Sequence, residues 1–181
     1  MNITDILRQL QEGDRQAFAA VVQQYQRPLF GFLGRLGLSQ SRAEELAQET
    51  FLRAWRNLGQ YNPQLAAFST WLFTIARNLA LNELSRAVNE WEVVMQDDLP
   101  ELACARPQPP EALAQVQQRR RLHTALQQLP LAERCAVALA YIGDFELVEI
   151  ARIEGCTIGT IKTRLHRARR RLFDLLEKDH E

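Results

Sequence analysis

In ELVEIARIEGCTIGTIKTRLHRARRRLFDLL, Glu146 to Leu176, apolar residues recur at intervals of three and four on both sides of the interruption EGC. That is the period of a helix, so the stretch reads as a short helix, a tight turn and a long helix. Gly155 can take a left-handed backbone conformation without a Cβ penalty, and Thr157 offers a side-chain oxygen to cap the second helix. Ala151 is small enough to let the two helices cross closely. This is the layout of a helix-turn-helix. The inward stripe of the long helix is then Ile158, Ile161, Leu165, Ala168 and Leu172.

With that stripe inward, Thr160, Lys162, Thr163, His166 and Arg167 face outward, and Thr157 and Gly159 stand at the helix start. Arg164, Arg169, Arg170 and Arg171 spread over the flanks. Short polar groups at the positive end of a helix suit base edges in a major groove, and cations further along suit the phosphate backbone. Net charge over the 181 residues is zero, but KTRLHRARRR, Lys162 to Arg171, holds six cationic side chains and no acid. A phosphate responds to that local field rather than to the sum.

Outward from this motif, ALAQVQQRRRLHTALQQL and LAERCAVALAYI read as two further helices divided by Pro130. Before them lies DDLPELACARPQPPE, with four prolines, an acidic bias and no sustained apolar period, the composition of a flexible linker. The expected division is residues 1–95, a linker at 96–112 and a second unit at 113–181. Eleven of the fourteen aromatics fall in the first unit, which gives it a large core for its size. There Phe18, Val21, Val22 and Tyr25 mark one helix, with Asp14 as its N-cap and Pro28 as a break or kink. Ser41 and Glu44 form a capping box for a second, with stripe Ala47, Phe51, Ala54, Trp55 and Leu58 and an end at Gly59. A third takes its stripe from Phe68, Trp71, Leu72, Ile75 and Leu79. No alternating β-branched runs appear, so the fold class is all-α, as two small helical domains.

The composition, 46% hydrophobic and 24% charged, is that of a globular chain and excludes overall disorder. No apolar run approaches the roughly 20 residues of a membrane span, and MNITDILRQL lacks the pattern of a signal peptide. A cytoplasmic protein without membrane insertion is expected. Cys104, Cys135 and Cys156 have neither zinc-site nor disulfide-framework spacing and read as reduced structural thiols. His123, His166 and His180 have no helpful spacing with them, so no metal, cofactor or catalytic residue is expected.

AEELAQETFLRAWRNLGQYNPQLAAFSTWLFTIARNLALNEL and IARIEGCTIGTIKTRLHRARRRL together resemble the two domains of extracytoplasmic-function sigma factors, the compact group IV branch of the sigma-70 family. The resemblance implies a region 2 domain that binds the clamp of core RNA polymerase and opens the -10 element. It implies a region 4 domain that binds the -35 element and the polymerase flap, here through Thr157, Gly159, Thr160, Lys162, Thr163, His166, Arg167 and Arg171. Glu45, Gln48, Glu49, Leu52, Arg53 and Arg56, opposite the apolar stripe of their helix, match the clamp-binding surface. An anti-sigma factor that masks these surfaces is a further implied partner.

Asn78 and Asn82 sit in mid-helix, where asparagine lowers helix propensity by a few tenths of a kcal/mol. With Thr74 they are spaced i, i+4, i+8, and the resemblance assigns this part of the helix and its preceding loop to extruded -10 bases. An amide offers both donor and acceptor to an unpaired base edge. Tyr61, Phe68 and Trp71 are candidate stacking surfaces, although Phe68 and Trp71 also lie on the inward stripe. Thr74 stands where the family often has a basic residue, DFELVEIA replaces the more usual GLSYEEIA, which implies Asp144 rather than a serine as the cap at the helix entrance, and Lys162 lacks the bidentate fork of arginine.

Opening about five base-pair steps costs on the order of 7 kcal/mol, whereas capturing a base returns about 1–3 kcal/mol. The first unit therefore needs a larger machine. A stand-alone helix-turn-helix regulator is the alternative; it leaves the asparagines and the Glu45–Arg56 surface without a task.

Overall fold

The computed structural model describes Ile6, Leu10 and residues 16–90 and 110–178. Among the described residues there are seven α-helices and no strand: α1 Ala17–Arg35, α2 Gln40–Arg56, α3 Phe68–Glu90, α4 Pro110–Gln127, α5 Leu131–Tyr141, α6 Leu147–Glu154 and α7 Ile158–Lys178. Asp14, Cys104, His180 and the linker up to residue 109 lie outside the described residues.

Local chemistry places several helix ends differently from the sequence reading. The cap of α2 is Ser39, whose oxygen accepts from the Arg42 amide at 3.3 Å, rather than Ser41. The same helix closes on Asn57, and a 3₁₀ turn, Leu58–Gln60, carries the chain past Gly59. Pro28 does not break α1. The carbonyl that a proline at this position leaves unpaired belongs to Gln24, on the exposed side of the helix. Asp144 does not cap α6 either: Glu146 and Glu149 form a reciprocal capping box there, and Asp144 itself has a positive φ of 53°.

Helix α3 lies at the centre. The expected stripe is present, with Phe68, Leu72 and Leu79 buried and Trp71 and Ile75 half-buried. The other side is buried as well, through Phe73, Ala76 and Ala80. One side of α3 packs on α1 and α2; another meets α6. The Phe73 ring lies 5.5 Å from Phe32 of α1 and 4.8 Å from Phe145, just ahead of α6. The aromatic core of the first half thus continues into the helix-turn-helix half.

Polar contacts follow the same seam. Thr70 donates to Glu149 at 3.1 Å, and Arg152 donates to the Leu65 carbonyl at 2.8 Å. Gln127 donates to the carbonyl of Arg35 at 3.3 Å. Cys135 and Cys156 are free thiols, and burial pushes the Cys135 thiol up to about 12, which keeps it protonated and unreactive.

Candidate nucleic-acid and polymerase interfaces

The helix-turn-helix forms as its sequence dictates. Gly155 ends α6 in the left-handed region, φ 63°, and the Thr157 oxygen accepts from the Thr160 amide at 3.2 Å. The Thr157 and Thr160 hydroxyls are 2.9 Å apart, and Thr163 bonds back to the Gly159 carbonyl at 3.0 Å. Ile161 and Ala168 are fully buried, with Leu165 and Leu172 packed beside them. Ile158 departs from the expected stripe and is exposed, one residue past the cap, at the rim of a shallow groove that it shares with Val148 and Arg152 of α6.

Facing outward on α7 are Thr157, Gly159, Lys162, Thr163, His166 and Arg167, with Thr160 half-buried. Among the described residues the ion pairs of this helix are those of Arg164 with Glu154 at 2.7 Å and Arg171 with Glu133 at 3.3 Å. Lys162 and Arg167 therefore point into solvent with their charge uncommitted to these pairs, while Arg171 is held toward α5.

In the first half, Asn78 and Asn82 are exposed on α3 and Thr74 is half-buried. The Thr74 hydroxyl donates to the Thr70 carbonyl at 2.7 Å, which occupies its hydrogen. A spacing of four drifts about 40° around a helix at 3.6 residues per turn, so the three do not stand in one column. Asn82 opens onto a cleft shared with Leu46, Glu49 and Arg53 of α2, whereas Asn78 accepts from Arg77 at 3.2 Å on the side nearer α6. Tyr61, Phe68 and Trp71 form one aromatic cluster, with centroids 5.4–5.5 Å apart. Phe68 is buried in it and packs on Tyr25; Tyr61 and Trp71 are half-buried and form its outer wall.

On α2, Glu45, Gln48, Leu52, Arg53 and Arg56 are exposed and Glu49 is half-buried. Its charges are largely paired within the surface. Arg53 binds Glu49 at 2.7 Å, and Arg42 binds both Glu45 and, with two bonds of 2.6 Å, Glu83 of α3. Glu83 is held below the usual carboxylate range by these Arg42 bonds. The ridge is thus close to neutral and carries one large apolar side chain, Leu52, 49% exposed.

Comparison with known proteins identifies the family. Residues 21–90 match Sigma-70 region 2, and residues 119–172 match Sigma-70, region 4. The chain is 30% identical to the ECF RNA polymerase sigma factor SigW of Bacillus subtilis, over 95% of both chains. It belongs to the extracytoplasmic-function sigma factors. The ECF RNA polymerase sigma factor RpoE of Cereibacter sphaeroides is 34% identical over 88% of this chain and 86% of its own. Among solved structures, the sigma factor RpoE of Bartonella quintana, in complex with the anti-sigma factor NepR, is similar with a TM-score of 0.71 and 27% identity, over 88% of this chain and 96% of that one. In this sigma factor, sequence reasoning missed Glu154, Arg77 and Thr70. All three are polar groups with partners across the seam, which no local pattern announces. No described helix is long and apolar enough to cross a membrane.

Proposed function

We propose that this sigma factor acts in the cytoplasm as a non-catalytic promoter-specificity subunit, with residues 1–95 as region 2, 96–112 as linker and 113–181 as region 4. Region 4 reads the -35 element through the outward face of α7, led by Lys162, Thr163, His166 and Arg167. Region 2 holds unpaired -10 bases between the Asn78 and Asn82 amides and the Tyr61–Trp71 wall, and docks on the polymerase clamp through Glu45, Gln48, Glu49, Leu52, Arg53 and Arg56. The observation that carries this reading is the exposed cationic row on a Thr157-capped recognition helix, in a chain that belongs to this family. An anti-sigma factor is the third partner, supported by the complex of the Bartonella relative.

Run-off transcription with purified core polymerase on a genomic promoter library tests the whole reading; absence of association with core polymerase overturns it. Arg167→Ala is expected to weaken -35-dependent initiation and to lower the salt slope of promoter binding by about one. An unchanged slope removes Arg167 from the DNA face. Asn78→Ala is expected to reduce open complexes about tenfold, the equivalent of one lost base contact of about 1–3 kcal/mol. Permanganate footprinting measures that loss, and core affinity should stay constant; an equal loss in both assays removes Asn78 from base reading.

A further inference from the structure

Where α1 ends, basic side chains from three helices converge without an acid. Arg35 is the last residue of α1, His123 lies one turn from the end of α4, and Arg134 lies in the first turn of α5. Gln127 joins them: its amide nitrogen donates to the Arg35 carbonyl at 3.3 Å, and its amide oxygen accepts from Arg134. Arg35 and His123 are exposed and Gln127 and Arg134 half-buried, so the group forms a notch that solvent reaches. Gly37, with φ 93°, walls it. A Cβ there would stand 2.5 Å from the Gln127 oxygen and 2.8 Å from Arg134 Nη1, so the chain leaving α1 presses directly on both side chains. Burial pushes the His123 imidazole below its ordinary value, and Arg35 and Arg134 push it the same way, which puts both guanidinium groups within electrostatic reach of the ring.

Among the described residues the ion pairs are those of Arg42, Arg53, Arg77, Arg164 and Arg171, and none includes Arg35 or Arg134. Glu133, the acid beside Arg134 in sequence, is paired with Arg171 of α7 at 3.3 Å. The Arg35 guanidinium donates to the Gly31 carbonyl, and Nε of Arg134 is buried with no hydrogen-bond partner. Two full positive charges are therefore held near the carbonyl end of α1. A helix terminus supplies about half an elementary charge, which offsets only about a quarter of theirs. Like charges kept close and a donor left unpaired carry a cost that a bound anion removes.

We propose that Arg35, His123, Gln127 and Arg134 form a binding notch for a terminal phosphate group, either free or carried by a soluble nucleotide. Such a group brings about −1.5 to −2 charges and three acceptor oxygens. That matches two guanidinium groups and the ring N–H of His123, whereas a carboxylate or a backbone phosphodiester brings a single charge. Arginine presents its donors as a planar fork suited to phosphate oxygens. Arg120, one turn before His123 on the exposed side of α4, adds to the attracting field. None of these residues belongs to α7, so the site is distinct from the outward face of that helix and does not rest on the reading of it.

The test uses the full chain, whose histidines are His123, His166 and His180. Their ring protons are followed by nuclear magnetic resonance during titration with inorganic phosphate and with pyrophosphate, at an ionic strength held constant with chloride. Saturable movement of the His123 signals, with His166 unmoved, is the expected result. Arg35→Gln and Arg134→Gln are each expected to weaken the binding about tenfold or more, the loss of one charge-assisted hydrogen bond. Adenosine triphosphate and a DNA duplex without promoter sequence separate the carriers. Tighter saturation by the triphosphate than by inorganic phosphate points to a nucleotide, and the reverse to free phosphate; movement of His123 by the duplex alone overturns the assignment to a terminal phosphate. No saturable movement of His123 at millimolar phosphate, or movement that chloride reproduces, overturns the notch. If circular dichroism shows Arg134→Gln unfolded, Arg35→Gln, a change at an exposed position, decides on the same titration, and unaltered affinity there shows that α1 contributes nothing to the site and overturns the proposal.

Discussion

Leu52→Glu is expected to lower the affinity of the chain for core RNA polymerase by about a hundredfold, with little change in its own stability. Leu52 is a large apolar side chain on a surface whose acids already have partners, Glu45 with Arg42 and Glu49 with Arg53. A pre-neutralised rim around an apolar centre can be buried against a partner at low desolvation cost, the anatomy of a protein interface. A carboxylate at that centre must be stripped of water, and Arg56, one helical turn further on, offsets only part of that cost. A penalty of about 3 kcal/mol corresponds to roughly a hundredfold at 1.4 kcal/mol per decade. The folded chain should tolerate the change, because glutamate matches leucine in helix propensity and exposed substitutions shift stability by about 0.5 kcal/mol or less. Fluorescence titration against purified core, beside a thermal melt, separates the two effects. Unchanged affinity places the polymerase elsewhere on the molecule.

What the sequence disclosed about these surfaces depended on the range of the interactions that build them. The helix-turn-helix was legible because its determinants are local: Gly155 and Thr157 set the turn and the cap within three residues of each other. The start of α2 was less so. Ser39 and Ser41 are both chemically able to cap, and only the Ser39 bond to the Arg42 amide chooses between them. The capping box of α6 was overlooked because its N-cap is a glutamate, Glu146, where serine or threonine is looked for first, although Glu149 is the usual acid at the third helical position. For α3 a single stripe was expected, yet Phe73, Ala76 and Ala80 add a second buried side and leave only the face of Asn78 and Asn82 open, the mark of a helix packed between neighbours. The pattern carries no label for the element that does the enclosing. Glu154 is the extreme case, since an acid in a turn reads as solvated until Arg77, from 77 positions earlier, is placed beside it.

Phe73→Ala is expected to be the most destabilising single truncation in the seam, costing about 3–5 kcal/mol. The ring is 1% exposed and wedged between Phe32 and Phe145, so its loss removes apolar contact on both sides and leaves a cavity that neither helix α1 nor α6 can fill by a side-chain rotation alone. Against a total stability of about 5–15 kcal/mol for an ordinary domain, this is a large fraction, and the urea midpoint should fall steeply. Phe145→Ala provides the control. Phe145 is 8% exposed and contacts Phe73 at 4.8 Å from the region 4 side. Its truncation also weakens the seam, but it leaves the Phe32–Phe73 contact of region 2 intact. If Phe73 joins the two halves into one core, the two truncations should be non-additive, because the second removes a contact the first has already lost. Equilibrium urea unfolding of the single and double variants measures that coupling. Strict additivity would mean that the rings stabilise their own halves separately, and the common core seen around α3 would then contribute little to holding region 4 in place.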